Sequence, residues 1–137
     1  MYDNSRALMA EMRAAGIDYR SDTPEEDDNL IDTVRVSWTG RNLPRTAVLF
    51  RLNDRGAHLE ALGVADLLGK PRAQVLEKLN ELNATYRWLT FTLDENGQVD
   101  CHTDVFMVPE VAGLFGIAAM GRMFDTLDEV YPGIAAL

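Results

Sequence analysis

Between Pro71 and Asp104 a helical pattern runs directly into a hairpin pattern, and this order constrains the fold more than any other part of the chain. Pro71 suits the first turn of a helix, where its missing N–H has no internal acceptor to lose. Val75, Leu76, Leu79 and Leu82 follow at helical spacing and form a core-facing stripe. The segment Leu79-Asn80-Glu81-Leu82-Asn83 closes the helix, with Asn83 marking the exit. Asn80 lies on nearly the same side as Asn83, so the pair can hold the following loop. Alternation then predicts strands from Arg87 to Leu93 and from Val99 to Val105, joined by Glu95-Asn96-Gly97-Gln98, with Asn96 and Gly97 as the structural turn.

Face counting along the hairpin places Leu89, Phe91 and Leu93 opposite Tyr86, Trp88, Thr90 and Thr92. On the second strand Val99, Cys101 and Thr103 oppose Asp100, His102 and Asp104. With Leu89, Phe91, Val99 and Cys101 toward the core, Trp88 shares the reverse face with His102 and the aspartates. A mixed aromatic and polar face of that kind suits a polypeptide, through apolar burial and a few hydrogen bonds. The competing arrangement folds Trp88 over the sheet edge against its own chain.

The flanking segments fit an antiparallel sheet. Asn4 or Ser5 can cap a helix beginning near Arg6, with Ala7, Leu8, Met12 and Ala15 as an apolar stripe and Gly16 as its stop. Ser21 to Asn29 contains Pro24 and Glu25-Glu26-Asp27-Asp28, an exposed loop because burying it would desolvate like charges. Ile31 to Thr39 and Thr46 to Leu52 alternate as strands around a turn with Gly40, Asn42 and Pro44. Val34, Val36, Trp38, Val48, Phe50 and Leu52 take the core side, leaving Arg35, Ser37, Ala47, Leu49 and Arg51 on the reverse. A further short strand runs from His58 to Leu62.

Pro109 begins the last helix, which is apolar on almost every side from Val111 to Met120. Met120, Met123, Phe124, Leu127 and Tyr131 then narrow to one stripe. Leu114, Phe115 and Ile117 cannot all face one sheet equally. Two packings satisfy them: a homodimer contact, or the first helix of the same chain. Gly113, Gly116 and Gly121 permit close approach at the expense of helicity.

The whole, 137 residues with 47% hydrophobic composition, fits a single domain over residues 1–137 with a substantial core. The formal charge of -9, from 22 acidic against 13 basic residues, repels nucleic acid and anionic membranes. Arg41, Arg45, Arg51 and Arg55 form the main basic cluster and can instead receive acidic side chains of a protein. Cys101 stands alone, so no internal disulfide forms. No secretory leader pattern opens the chain and no apolar run reaches the roughly 20 residues of a membrane span, so a cytoplasmic protein is expected.

Chemistry is harder to find. Asp100-x-His102-x-Asp104 places three polar donors on one strand face, yet three ligands in one short row need another element to complete a metal shell. His58 supplies it only where its strand crosses nearby. Asp94-Glu95-Asn96-Gly97 lacks the glycine position and terminal glutamate of a calcium loop. Cys101 and His102 point to opposite faces, so they make no nucleophile–base pair. Neither a phosphate-binding glycine pattern nor a nucleophile elbow occurs. No catalytic residue, metal or cofactor is therefore expected.

The order of an N-terminal helix, several strands, the Leu79-Asn80-Glu81-Leu82-Asn83 exit, the Trp88-Leu89-Thr90-Phe91 strand, the Gly97 hairpin and a long C-terminal helix resembles the YbjN family, grouped with type III secretion chaperone-like proteins. The resemblance covers most of residues 4 to 133. It implies an α+β fold with helices on one side of an antiparallel sheet. Members are described as sensory transduction regulators, and the related secretion chaperones bind unfolded partner segments and commonly dimerise. No catalytic set comes with it, and the chain has no effector-binding signature. The expectation is a non-enzymatic protein-binding or regulatory homodimer, with Arg35, Leu49, Arg51, Tyr86 and Trp88 in contact with the partner and Leu114, Phe115 and Ile117 joining the subunits. The alternative is a metal-assisted hydrolase using Asp100, His102 and Asp104.

Overall fold

The computed structural model describes residues 1–22 and 31–137. The acidic run Glu25 to Asp28 lies outside the described residues. The elements run α1 (Asp3–Ala14), β1 (Arg20–Asp22), β2 (Asp32–Trp38), β3 (Thr46–Leu52), β4 (Gly56–Asp66), α2 (Arg72–Thr85), β5 (Thr90–Leu93), β6 (Gln98–Phe106) and α3 (Pro109–Ala135). This is the expected α+β arrangement, with N-terminal, middle and C-terminal helices. The strands form one antiparallel sheet in the order β1-β2-β3-β4-β6-β5.

The core lies between one face of the sheet and the helices. Val34, Val48, Phe50, Leu52, Leu59, Val99 and Cys101 are fully buried there. α1 adds Leu8 and Met12, and α3 adds Met123, Leu127 and Ile134. α1 and α3 pack against each other over this face, while α2 lies against β5. Asp128 of α3 also fastens the β2–β3 turn, its Oδ1 accepting the N–H groups of Asn42 at 2.7 Å and Leu43 at 2.8 Å. These bonds, that from Leu43 first, hold the Asp128 carboxyl below the usual carboxylate range.

Several local expectations need correction. α1 begins at Asp3, so Asn4 and Ser5 lie inside its first turn rather than capping it. Asn4 Nδ2 instead donates to the carbonyls of Asn53 at 2.9 Å and Met107 at 3.4 Å, a tertiary use that outcompetes capping. Gly16 does end the helix, at φ 71° with the Ile17 N–H bonded to the Met12 carbonyl. In α2, Val75, Leu79 and Leu82 are buried but Leu76 faces out. The strand at His58 extends to Asp66 through a register shift between Ala61 and Ala65.

The Asn80–Asn83 pair divides. Of the two, Asn83 alone bonds to β5: its Oδ1 accepts the Phe91 N–H at 2.6 Å and its Nδ2 donates to the Phe91 carbonyl at 3.0 Å. Asn80 is exposed. In the β5–β6 turn Gly97 has φ 76°, which permits the tight reversal, and Asp94 Oδ1 accepts the N–H groups of Asn96 at 2.8 Å and Gln98 at 2.9 Å.

α3 separates Leu114, Phe115 and Ile117. Gly113 and Gly116 are buried beneath α1, whereas Leu114 and Phe115 are exposed and Ile117 leans on the core. Contact with the first helix therefore accounts for the glycine side of α3, and two large apolar side chains stay outside.

Candidate functional site

Alternation along the central strands leaves one face of the sheet without a helix among the described residues. Arg35 comes from β2, Leu49 and Arg51 from β3, His58 and Glu60 from β4, and Asp100, His102 and Asp104 from β6. Register brings them side by side: Arg35 opposes Leu49, Leu49 opposes Glu60, His58 opposes Asp104 and Glu60 opposes His102. Leu49 is half-buried and Arg35 exposed.

At the middle of this face four polar side chains close on one another. His58 Nδ1 donates to Asp104 Oδ1 at 2.8 Å, and His58 Nε2 lies 3.2 Å from His102 Nδ1. Glu60 is only 8% exposed despite its place on the uncovered face. Its Oε1 accepts from Arg51 Nε at 2.8 Å, and its Oε2 lies 3.8 Å from both His58 Nε2 and His102 Nδ1. A buried carboxylate is tolerated where such partners replace its water. Beside it a groove is lined by Ile31, Arg51, His58, Asp104 and Phe106.

A profile of the family described as "YbjN: Putative bacterial sensory transduction regulator" matches residues 5–114. The chain belongs to the YbjN family. The match runs from α1 through all six strands into α3. Neither a curated protein nor a solved structure matches the chain. Membership in this family supports a regulatory or protein-binding role, and no described helix of this YbjN member is long and apolar enough to cross a membrane.

The five residues expected to meet a partner fall on two surfaces. Arg35, Leu49 and Arg51 share the uncovered face, although Arg51 already serves Glu60. Trp88 does not join His102. Its ring lies on the α3 side, with the Arg122 guanidinium 4.6 Å from the ring centre, and Tyr86 meets it edge-on at 5.7 Å. The reason is local: the Leu89 N–H bonds to the Tyr86 carbonyl, so a turn occupies residues 86–89 and β5 starts only at Thr90. Trp88, Phe115 and Arg122 line a groove between β6 and α3. Shielding from water, and then the neighbouring Glu129, pushes the Tyr86 phenol up.

The basic cluster also divides. Arg45 meets Arg20 and Arg35 around a hollow with Asp18, Tyr19 and Ser37, while Arg51 and Arg55 border the groove at His58. Arg20 escaped the sequence reading because β1 has only three residues, all exposed, and no apolar alternation. Asp100 leaves the row it was expected to form. Its Oδ1 accepts the Gly63 N–H at 2.8 Å and supports the irregularity in β4. Glu60 was missed, although His58-x-Glu60 carries the same alternating signal as Asp100-x-His102.

Cys101 faces the core, away from His102, and burial pushes its thiol up to about 12 against the weaker downward pull of a backbone bond at His102. At pH 8 it is therefore a neutral, enclosed thiol. A disulfide reagent is expected to leave the folded protein unmodified over an hour at that pH and to titrate one thiol after unfolding in guanidinium. Rapid modification of the folded protein would contradict this placement.

Proposed function

We propose that this YbjN protein is a non-enzymatic, chaperone-like binding module of the cytoplasm that captures an extended polypeptide on the uncovered sheet face and works as a homodimer. The observation that carries the reading is a family of described regulators combined with a sheet whose helices, among the described residues, cover one side only, so that Arg35 and Leu49 stand in register on the other. Leu49 offers apolar contact. Arg20, Arg35 and Arg45 gather positive charge within a chain of net charge -9, which favours a partner segment carrying carboxylates. The exposed Leu114 and Phe115, next to the Trp88 groove, support the dimer contact on α3, and Ile117 contributes from beneath.

A photo-crosslinking residue at position 49, with a second at exposed Leu76 as a control, identifies the partner in the native cell. Titration of the purified pair then tests the surface. Arg35→Glu with Leu49→Asp is expected to weaken binding at least tenfold, about 1.4 kcal/mol, with helix content unchanged. Equal affinity of the folded double variant would reject this face. Light scattering is expected to give twice the 15.3 kDa chain mass, reverting to one chain mass in Phe115→Glu. A single-chain mass at every concentration would remove the dimer.

A further inference from the structure

We propose that His58, Glu60 and His102 form a binding site for one transition-metal dication of the Zn2+ class, built across β4 and β6 on the uncovered face. The chain contains only two histidines, 44 positions apart, and antiparallel pairing brings their ring nitrogens to 3.2 Å. Glu60 supplies the third donor, and the ligand atoms of the three residues all lie within 4.8 Å of one another. Two imidazoles and a carboxylate are a donor set that Zn2+ and its neighbours accept, with a fourth position left for water or an added ligand.

The distances fit an ion closely. His58 Nε2, His102 Nδ1 and Glu60 Oε2 form a triangle with edges of 3.2, 3.8 and 3.8 Å. The centre of that triangle lies about 2.1 Å from each corner, within the range of Zn–N and Zn–O bonds. A slight contraction of the triangle lifts the ion off its plane and opens a fourth position.

Each ligand is also held from behind. Asp104 Oδ1 accepts a hydrogen bond from His58 Nδ1–H at 2.8 Å, which leaves Nε2 as the lone-pair donor. His102 Nε2 lies 3.4 Å from Thr92 Oγ1, so Nδ1 is the nitrogen turned inward. Arg51 Nε fixes the other oxygen of Glu60 at 2.8 Å. Carboxylate, hydroxyl and guanidinium partners of this kind orient ligands and set their basicity. Because the donors sit on paired strands rather than loops, little ordering remains for binding to supply. The net negative charge of the chain adds a favourable field for a cation. This site stands on the side-chain geometry and does not depend on the partner reading.

The test uses the full chain without an affinity tag, stripped with a chelator and titrated with Co2+ as an optical probe, followed by Zn2+. One equivalent of Co2+ is expected to give the visible absorption of a low-coordinate site and to be displaced by Zn2+. His58→Gln and His102→Gln are each expected to weaken uptake about 100-fold, Glu60→Gln and Asp104→Asn about 10-fold or more. In parallel, the imidazole nitrogen spectrum of the unaltered protein is expected to shift for both histidines on adding Zn2+, a readout that needs no variant to fold. Absence of stoichiometric uptake, unmoved imidazole signals, or undiminished uptake by a folded His58→Gln, His102→Gln protein would each overturn the site.

Discussion

Replacing Phe50 with alanine is expected to lower the unfolding free energy by about 3–5 kcal/mol, the usual range for emptying a large aromatic site. Phe50 sits in the middle of β3, opposite Val34 of β2 and Leu59 of β4, and all three side chains are fully buried. Above it passes α3 at Gly116, where an added Cβ would stand 3.5 Å from the Phe50 ring. Three elements therefore meet on this one side chain of a fourth, and none can close over the vacated space without losing its own register or crossing. Against a total of roughly 5–15 kcal/mol for a domain of ordinary size, this is a large share. Urea unfolding followed by far-UV circular dichroism should show a lower midpoint at an unchanged slope. A loss below about 1.5 kcal/mol would mean that the ring is not packed beneath α3.

The parts of the fold legible in the sequence are those with local causes. The Gly97 turn and the α2 stripe depend on neighbours within a few residues; the turn and Val75, Leu79 and Leu82 occur where their patterns place them, while Leu76 of the same expected stripe faces out. Trp88 went astray because alternation is meaningful only inside a strand, and the turn from Tyr86 to Leu89 delays the strand beyond it. β1 left no trace because its three residues are exposed and its own side chains show no apolar alternation. The far half of β4 was hidden by the irregularity between Ala61 and Ala65, which interrupts the period of two.

The His58, Glu60 and His102 cluster was half legible for a related reason. Alternation assigns each of these side chains to a strand face, but which strands lie side by side is a property of the whole sheet. The order places β6 between β4 and β5, so β4 contacts a strand that follows it only after α2 and β5. Once that pairing is given, Glu60 must face His102 and His58 must face Asp104. The row along β6 alone pointed to Asp100, whose carboxylate is instead engaged by the Gly63 N–H.

Gly113→Ala and Gly121→Ala, identical changes within one helix, are expected to have opposite signs. Both gain the same intrinsic helicity, about 0.5–1 kcal/mol. At Gly121 an added Cβ meets nothing within 4 Å, so that gain should appear as increased stability. At Gly113 the added Cβ would overlap the Cβ of Glu11 and approach the Ala7 carbonyl oxygen to 3.4 Å. A Cβ cannot swing aside as a side-chain end does, so α1 itself must lift from α3. That displacement loosens Leu8 and Met12, both fully buried, and overpacking of this kind costs about 1–3 kcal/mol, more for Gly113→Leu. The net expectation for Gly113→Ala is destabilisation, read against Gly121→Ala in thermal unfolding. Equal stabilisation by both would show that α1 does not cross at Gly113. The same crossing decides which side of α3 is left outward, since covering Gly113 and Gly116 with α1 is what leaves Leu114 and Phe115 exposed. In Gly113→Leu the first helix and the proposed subunit contact should therefore fail together, whereas Phe115→Glu should remove the dimer and leave the α1 crossing intact.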